Sequence, residues 1–188
     1  CGCVISGGTS VSTRMIHRSA AAPTKEISDA LEGLVLSEFL DPGRRLLIVS
    51  PWMSDFPVVD NPAGQFSGLV PGWNAAVISF SMVLRGLLSQ GVAVRLGTGP
   101  GTRESGFIAK IEESADLDGT RPLLSVTRQP HEHQLFSHEK ALVADSWAIY
   151  GSMNLTYSGV QFNGELITVT TDPDTVANLA TTLQGLFE

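Results

Sequence analysis

Residues 138–154 read HEKALVADSWAIYGSMN, and the way this stretch divides decides the fold. His138 to Ala144 and Trp147 to Gly151 are two short, apolar-rich runs on either side of Asp145 and Ser146, and both are expected as strands. Side chains alternate faces along a strand, so His138 and Lys140 point the same way, two residues of rise apart. Asn154 falls just past the second strand, where a tight connection brings its amide beside them. One nucleophile or base, one fixed cation and one amide donor at a single point suit a phosphate group better than a carbonyl.

Outward from this stretch, strands alternate with helices. Arg45 to Ser50, a nearly continuous apolar run, reads as a strand buried on both faces. Thr24 to Leu40 reads as a helix, with Thr24 as its cap, Ile27, Leu31, Leu34, Val35 and Phe39 on one side, and Asp41-Pro42-Gly43 as its stop. A helix ending at Gln90, strands at 92–96 and 123–127, and a helix from Ser105 to Leu117 continue the pattern. Glu165 to Thr171 is a further strand, and Asp172 with Pro173 opens a last helix from Thr175 to Phe187. The fold class is α/β: a mixed, mainly buried β-sheet flanked by helices on both faces, in one domain spanning 1–188. Residues 1–23 are expected as a short strand at Val4 and Ile5 followed by an arm, and 51–74 as a long loop rich in turn residues. The glycine-rich segment 97–101 lacks the lysine of a phosphate loop and reads as a plain exit from a strand.

The chain has 188 residues, 43% of them hydrophobic and 16% charged, with 19 acidic against 12 basic side chains and a net charge of -7. That length supports a sizeable core without disulfides or a structural metal. No apolar stretch is long enough to span a bilayer, and no membrane partner is expected. The acidic balance argues against coating nucleic acid by charge alone but leaves room for a small basic cleft. Cys1 and Cys3 are too close for an ordinary disulfide and read as free thiols in a cytoplasmic protein, with an acylated Cys1 as the alternative.

His138, Lys140, Asp145, Gly151, Ser152 and Asn154 resemble the HKD motif of the phospholipase D superfamily, and most of the chain fits that fold. The resemblance implies a metal-independent phosphodiesterase with no cofactor. His138 would attack phosphorus and form a phosphohistidine, while the histidine of a second motif protonates the leaving oxygen and then activates water. Lys140 and Asn154 would hold the non-bridging oxygens, with help from the Ser152 hydroxyl. Glu165 matches the acidic residue that orients the histidine. Asp145 and Gly151 are expected to be structural, Asp145 by bonding the turn after its strand. The spacing between Asp145 and Gly151 is one residue shorter than the family's usual one, which shortens the hairpin without removing a functional group.

The mechanism needs two motifs and the chain has one, so a homodimer is expected to complete the site. A short, single-motif chain resembles the bacterial endonuclease branch, with nucleic acid as partner, DNA ahead of RNA. The words around Ser50 to Asp55 and Asp60-Asn61 resemble phospholipase-D-like proteins of bacterial DNA-modification and phage-restriction islands, which would add defence-system partner proteins. A phospholipid or headgroup phosphodiesterase ranks second, because the helices look core-facing, and a non-catalytic subunit of a defence complex third. Trp52 and Trp73 both read as packing residues ahead of base-stacking platforms, with Trp52 and His133 as candidate substrate contacts. His131 and His133 have no third metal ligand in view and lie on the lead-in to the motif strand. Arg14, Arg18, Arg121 and Arg128 are candidates to rim a phosphate-lined groove.

Overall fold

The computed structural model describes residues 12–70, 72–74, 77–99, 102–128 and 138–187. Its elements are β1 (Thr13–Arg18), α1 (Glu26–Leu40), β2 (Arg45–Ser50), β3 (Pro57–Asp60), β4 (Val77–Ser79), α2 (Phe80–Ser89), β5 (Ala93–Thr98), α3 (Thr102–Leu117), β6 (Leu124–Arg128), β7 (Ala141–Val143), β8 (Ala148–Gly151), α4 (Tyr157–Gln161), β9 (Glu165–Thr170) and α5 (Pro173–Gln184). A seven-stranded sheet runs in the order β1-β9-β8-β7-β2-β5-β6, and β3 with β4 makes a separate pair. β2, β5 and β6 are parallel, joined by crossovers that contain α2 and α3, and the remaining neighbours are antiparallel.

Alternation along β2 divides the core. Leu46 and Ile48 belong to the larger apolar cluster, which also takes Ile27, Leu31, Val35 and Phe39 from α1, Val83, Leu84 and Leu87 from α2, and Ile108 and Ile111 from α3. Leu47 and Val49 face the other way, into a smaller cluster with Val176, Ala180 and Leu183 of α5. Helices therefore cover both faces, as the continuous apolar run of this strand requires. Asp172 caps α5 by accepting from Thr175 N at 2.9 Å, with Pro173 in the first turn.

Several expectations need correction. The 1–23 segment is not an arm throughout: Thr13–Arg18 is the edge strand, paired from Thr13↔Thr170 to Arg18↔Glu165. Only Ile16 and Arg18 of this strand are buried, so it carries no run of apolar residues to signal it. The strand expected at Val4 and Ile5, and Cys1 and Cys3, lie outside the described residues. Thr24 does not cap α1, which starts after Lys25 without a side-chain cap and places Glu26 and Asp29 in its first turn. The 51–74 segment is not all loop, since Pro57–Asp60 pairs with Val77–Ser79. The buried Asn61 ties it down, donating to Trp73 O at 3.0 Å and accepting from Phe66 N at 3.0 Å. Trp73 is 2% exposed and packs edge-on against Phe39, as a core residue.

The sheet edge at the start of β2 is structural. Asp145 accepts from Arg44 N at 2.7 Å and pairs with Arg45 Nε at 3.3 Å. It thus holds the entry of β2 and not the turn of its own hairpin. Beside it the buried Glu38 accepts from Gly43 N at 2.7 Å and from Trp147 Nε1 at 2.9 Å. Burial pushes the Glu38 carboxyl above its usual range, against the pull of those two bonds.

Candidate active site

The opposite edge gathers the expected chemistry. β2 and β5 end there at Ser50 and Thr98, which are register partners, while Val49 pairs with Ala141 at the start of β7. β8 ends at the same edge with Gly151 beside Ile167, and β9 begins there at Glu165 beside Arg18, the last residue of β1. Carboxyl ends of parallel strands and the loops beyond them are where α/β sheets present functional groups.

His138 and Lys140 stand just ahead of β7, which starts at Ala141 and not at His138 as expected. Ladder bonding nevertheless reaches back to them, because Gly151 N donates to Lys140 O at 3.1 Å. His138 is exposed, and Lys140 is half-buried with its ammonium donating to His138 O at 2.5 Å. Burial lowers the Lys140 pKa, opposed by the negative charges of Glu165 and Glu139.

Gly151 and Ser152 join β8 to the start of β9. Gly151 has φ +149, and a Cβ there would lie 2.3 Å from Leu166 O, so only glycine fits so close an approach. Ser152 N donates to Leu166 O and Leu166 N to Ser152 Oγ, both at 3.0 Å. The Ser152 hydroxyl in turn donates to Glu165, a carboxylate only 7% exposed. The sequence expectation gave this hydroxyl to the phosphate, but in this arrangement its proton is directed to Glu165.

Asn154 follows on a short connection pinned to β2. Leu155 N donates to Ser50 Oγ at 3.1 Å, Ser54 N to Leu155 O at 3.0 Å, and Met53 bridges Leu155. Asn154 Oδ1 and Thr98 Oγ1 are buried without a hydrogen-bond partner among the described residues. α4 comes next, capped by Thr156, which accepts from Gly159 N at 3.1 Å. No sequence signal announced this five-residue helix, whose Gly159 is a poor helix former. The glycine is required because a Cβ would lie 2.2 Å from Asn154 O.

Trp52 lies two residues past the end of β2 and is 54% exposed, so it is not the packing residue that its type favoured. His133 and His131 lie outside the described residues. Of the four arginines expected to rim a groove, Arg14, Arg121 and Arg128 keep exposed side chains, Arg128 beside Thr98 at this edge, and Arg18 is buried. Arg14 pairs with Glu26, while Arg121 and Arg128 share Glu112. Arg18 is 1% exposed and donates to Asn163 O at 2.8 Å and to Val160 O and Gly159 O at 2.5 Å. The sequence places Arg18 on an exposed rim and does not single out Ser50, since neither a lone arginine nor a serine ending an apolar run marks its place in a fold. Among the described residues no three His, Cys, Asp or Glu side chains are grouped to hold a metal ion, and no helix is long and apolar enough to cross a membrane.

Residues 79–187 match the family model described as cardiolipin synthase, PLD-like domain. No curated protein matches the chain. Among solved structures it is similar to NucT from Helicobacter pylori, at 13% identity and TM-score 0.56, covering 94% of this chain and 95% of that one. It is also similar to Nuc, a phospholipase D family member from Salmonella typhimurium, at 14% identity and TM-score 0.54, with 93% of each chain covered. Phosphatidylserine synthase from Haemophilus influenzae gives 16% identity and TM-score 0.58 over 94% of this chain but 38% of that one.

Proposed function

This chain belongs to the phospholipase D superfamily, and from that premise we propose that it is a metal-independent phosphodiesterase that cleaves DNA through a phosphohistidine. The observation that carries the reading is the convergence of Lys140, Ser152, Asn154 and Glu165, from separate stretches of chain, on the sheet edge where His138 stands exposed.

An imidazole nitrogen of His138 attacks phosphorus, a P–N bond forms and the P–O bond to the leaving group breaks. The His138 imidazolium of a second copy of the chain gives its proton to the departing oxygen. That imidazole then takes a proton from water as the water oxygen attacks phosphorus, the P–N bond breaks and His138 is regenerated. Lys140 and the Asn154 amide face the charge that builds on the non-bridging oxygens. Glu165 is held by Ser152 to orient the imidazole.

The motif occurs once in this sequence, and a two-fold pair of copies would bring two His138 side chains together. The chain spans nearly the whole of NucT and Nuc, so its fold matches theirs as one unit. A two-fold arrangement would also double the charge of Lys140 at the groove, which an acidic chain with paired arginines needs to hold a polyanion. A role in phage restriction, with defence-system partner proteins, follows from the resemblance at Ser50 to Asp55.

One observation favours a second reading, a lipid or headgroup phosphodiester as substrate. Trp52 is 54% exposed, Phe162 52%, Tyr157 47% and Leu166 47%, all on segments adjoining the site. The test offers labelled single- and double-stranded DNA and phospholipid vesicles to wild type and His138→Asn in excess EDTA and low salt. DNA cleavage by wild type alone is expected; cleavage by both proteins, or release of headgroup with no cut in DNA, would refute the DNA reading.

A further inference from the structure

Arg18 lies outside the motif, and its surroundings are unusual for an arginine. It is 1% exposed at the end of the edge strand β1, where a solvated cation would be the ordinary occupant. All three donor nitrogens of its guanidinium face main-chain carbonyls: Nε to Asn163 O, Nη1 to Val160 O and Nη2 to Gly159 O. Two of these acceptors belong to α4 and the third lies just beyond it, where carbonyls have no helical partner and carry partial negative charge. The fork thus fastens the segment that runs from Asn154 to Glu165.

Both ends of that segment carry candidate site residues. Toward its start, Gly159, whose carbonyl accepts from Arg18, packs with its α-carbon directly against Asn154 O, leaving no room for a Cβ. Toward its end, Glu165 is the register partner of Arg18 across β1 and β9. The buried Glu165 therefore lies between two cations, Arg18 from β1 and Lys140 from the lead-in to β7, each of which feels its charge. His17 is on the opposite, exposed side of β1, and His138 and Glu139 precede Lys140 on the same lead-in.

We propose that Arg18 is a positioning residue for the phosphoryl-transfer site, its fork fixing Asn154 through α4 from the position beside Glu165 across β1 and β9. This rests on the reading of His138 as nucleophile. A planar fork fits three fixed carbonyls, and a lysine supplies the charge but not the geometry.

Wild type, Arg18→Lys, Arg18→Gln and His138→Asn are compared on bis(p-nitrophenyl) phosphate, with thermal melts as the folding control. The Asn154 side-chain amide is followed in parallel by nitrogen NMR in wild type, Arg18→Lys and Arg18→Gln. In Arg18→Gln kcat is expected to fall by about 10-fold or more with KM within about 3-fold, because geometry in the transition state is lost and not ground-state binding. In Arg18→Lys kcat also falls, and in both variants the Asn154 amide signal moves. A folded Arg18→Gln with wild-type kcat would overturn the proposal. So would a loss of activity that follows the melting temperature alone, with the Asn154 signal unchanged. If Arg18→Gln does not fold, wild-type kcat in Arg18→Lys overturns the proposal. Equal turnover by wild type and His138→Asn would instead refute the functional reading, and the Asn154 signal then decides the Arg18 linkage by itself.

Discussion

The Ser152 hydroxyl donates to the Glu165 carboxylate while the same oxygen accepts from Leu166 N at 3.0 Å. One side chain thus joins the turn after β8 to the first residue of β9. Glu165 is buried, so its orientation is set by this bond together with the positive charges of Lys140 and Arg18. A carboxylate held so firmly can fix a neighbouring imidazole in one tautomer.

Ser152→Ala removes that joint without adding volume. Glu165 and Leu166 N each lose a partner, and the expected cost is about 1–3 kcal/mol, since a buried polar group left unpaired loses its desolvation compensation. Chemical denaturation checks the stability. Turnover should fall with the fold intact, and full activity in the variant would show that Ser152 does not serve Glu165.

Gly151→Ala is a harsher change at the next residue. A Cβ would lie 2.3 Å from Leu166 O, a backbone atom that cannot move without disturbing the β8–β9 pairing. Destabilisation of about 2 kcal/mol or more is expected, from strain at a backbone geometry that side chains rarely adopt. A melting temperature equal to that of wild type would contradict this account of the glycine.

How far the sequence could be read follows from which forces act locally. The Arg45–Ser50 strand was legible to its ends because burial on both faces leaves a continuous apolar run. Of the motif residues read from type and spacing, all but Asp145 stand at one edge, because adjoining strands end there. β1 was not legible, since its order comes from pairing with β9, far away in the chain, and only Ile16 and Arg18 turn inward. Pro57–Asp60 was hidden among turn residues, and α4 behind its glycine. Arg18 was misread because composition places an arginine on the surface, whereas three carbonyls made by tertiary folding bury it.

Asp145 separates fold from chemistry. It holds Arg44 N and Arg45 at the far end of β2, about 15 Å from the site by strand rise. Asp145→Ala should lower stability by about 1–2 kcal/mol, the worth of its charged bonds to a main-chain amide and an arginine. Among folded molecules kcat should match wild type. A large fall in kcat at unchanged melting temperature would return Asp145 to the catalytic apparatus.

Lys140 gives the alkaline side of the pH profile. Burial lowers its pKa, and Glu165 and Glu139 only partly restore it. A lysine must be protonated to hold phosphate oxygens, so activity should decline on the alkaline side at a pH below the ordinary lysine range. Lys140→Arg keeps its charge over that range and should lose the limb, at reduced turnover. An alkaline limb unchanged in Lys140→Arg would assign it to another group.

The phosphohistidine step is the centre of the account, and the stereochemical course at phosphorus tests it most directly. A DNA phosphorothioate of one configuration, cleaved in oxygen-18 water with excess EDTA, yields a product whose configuration counts the displacements. Attack by His138 followed by attack by water inverts phosphorus twice, so net retention is expected. Net inversion would mean that water attacks the diester in a single step, and would contradict the nucleophilic role of His138.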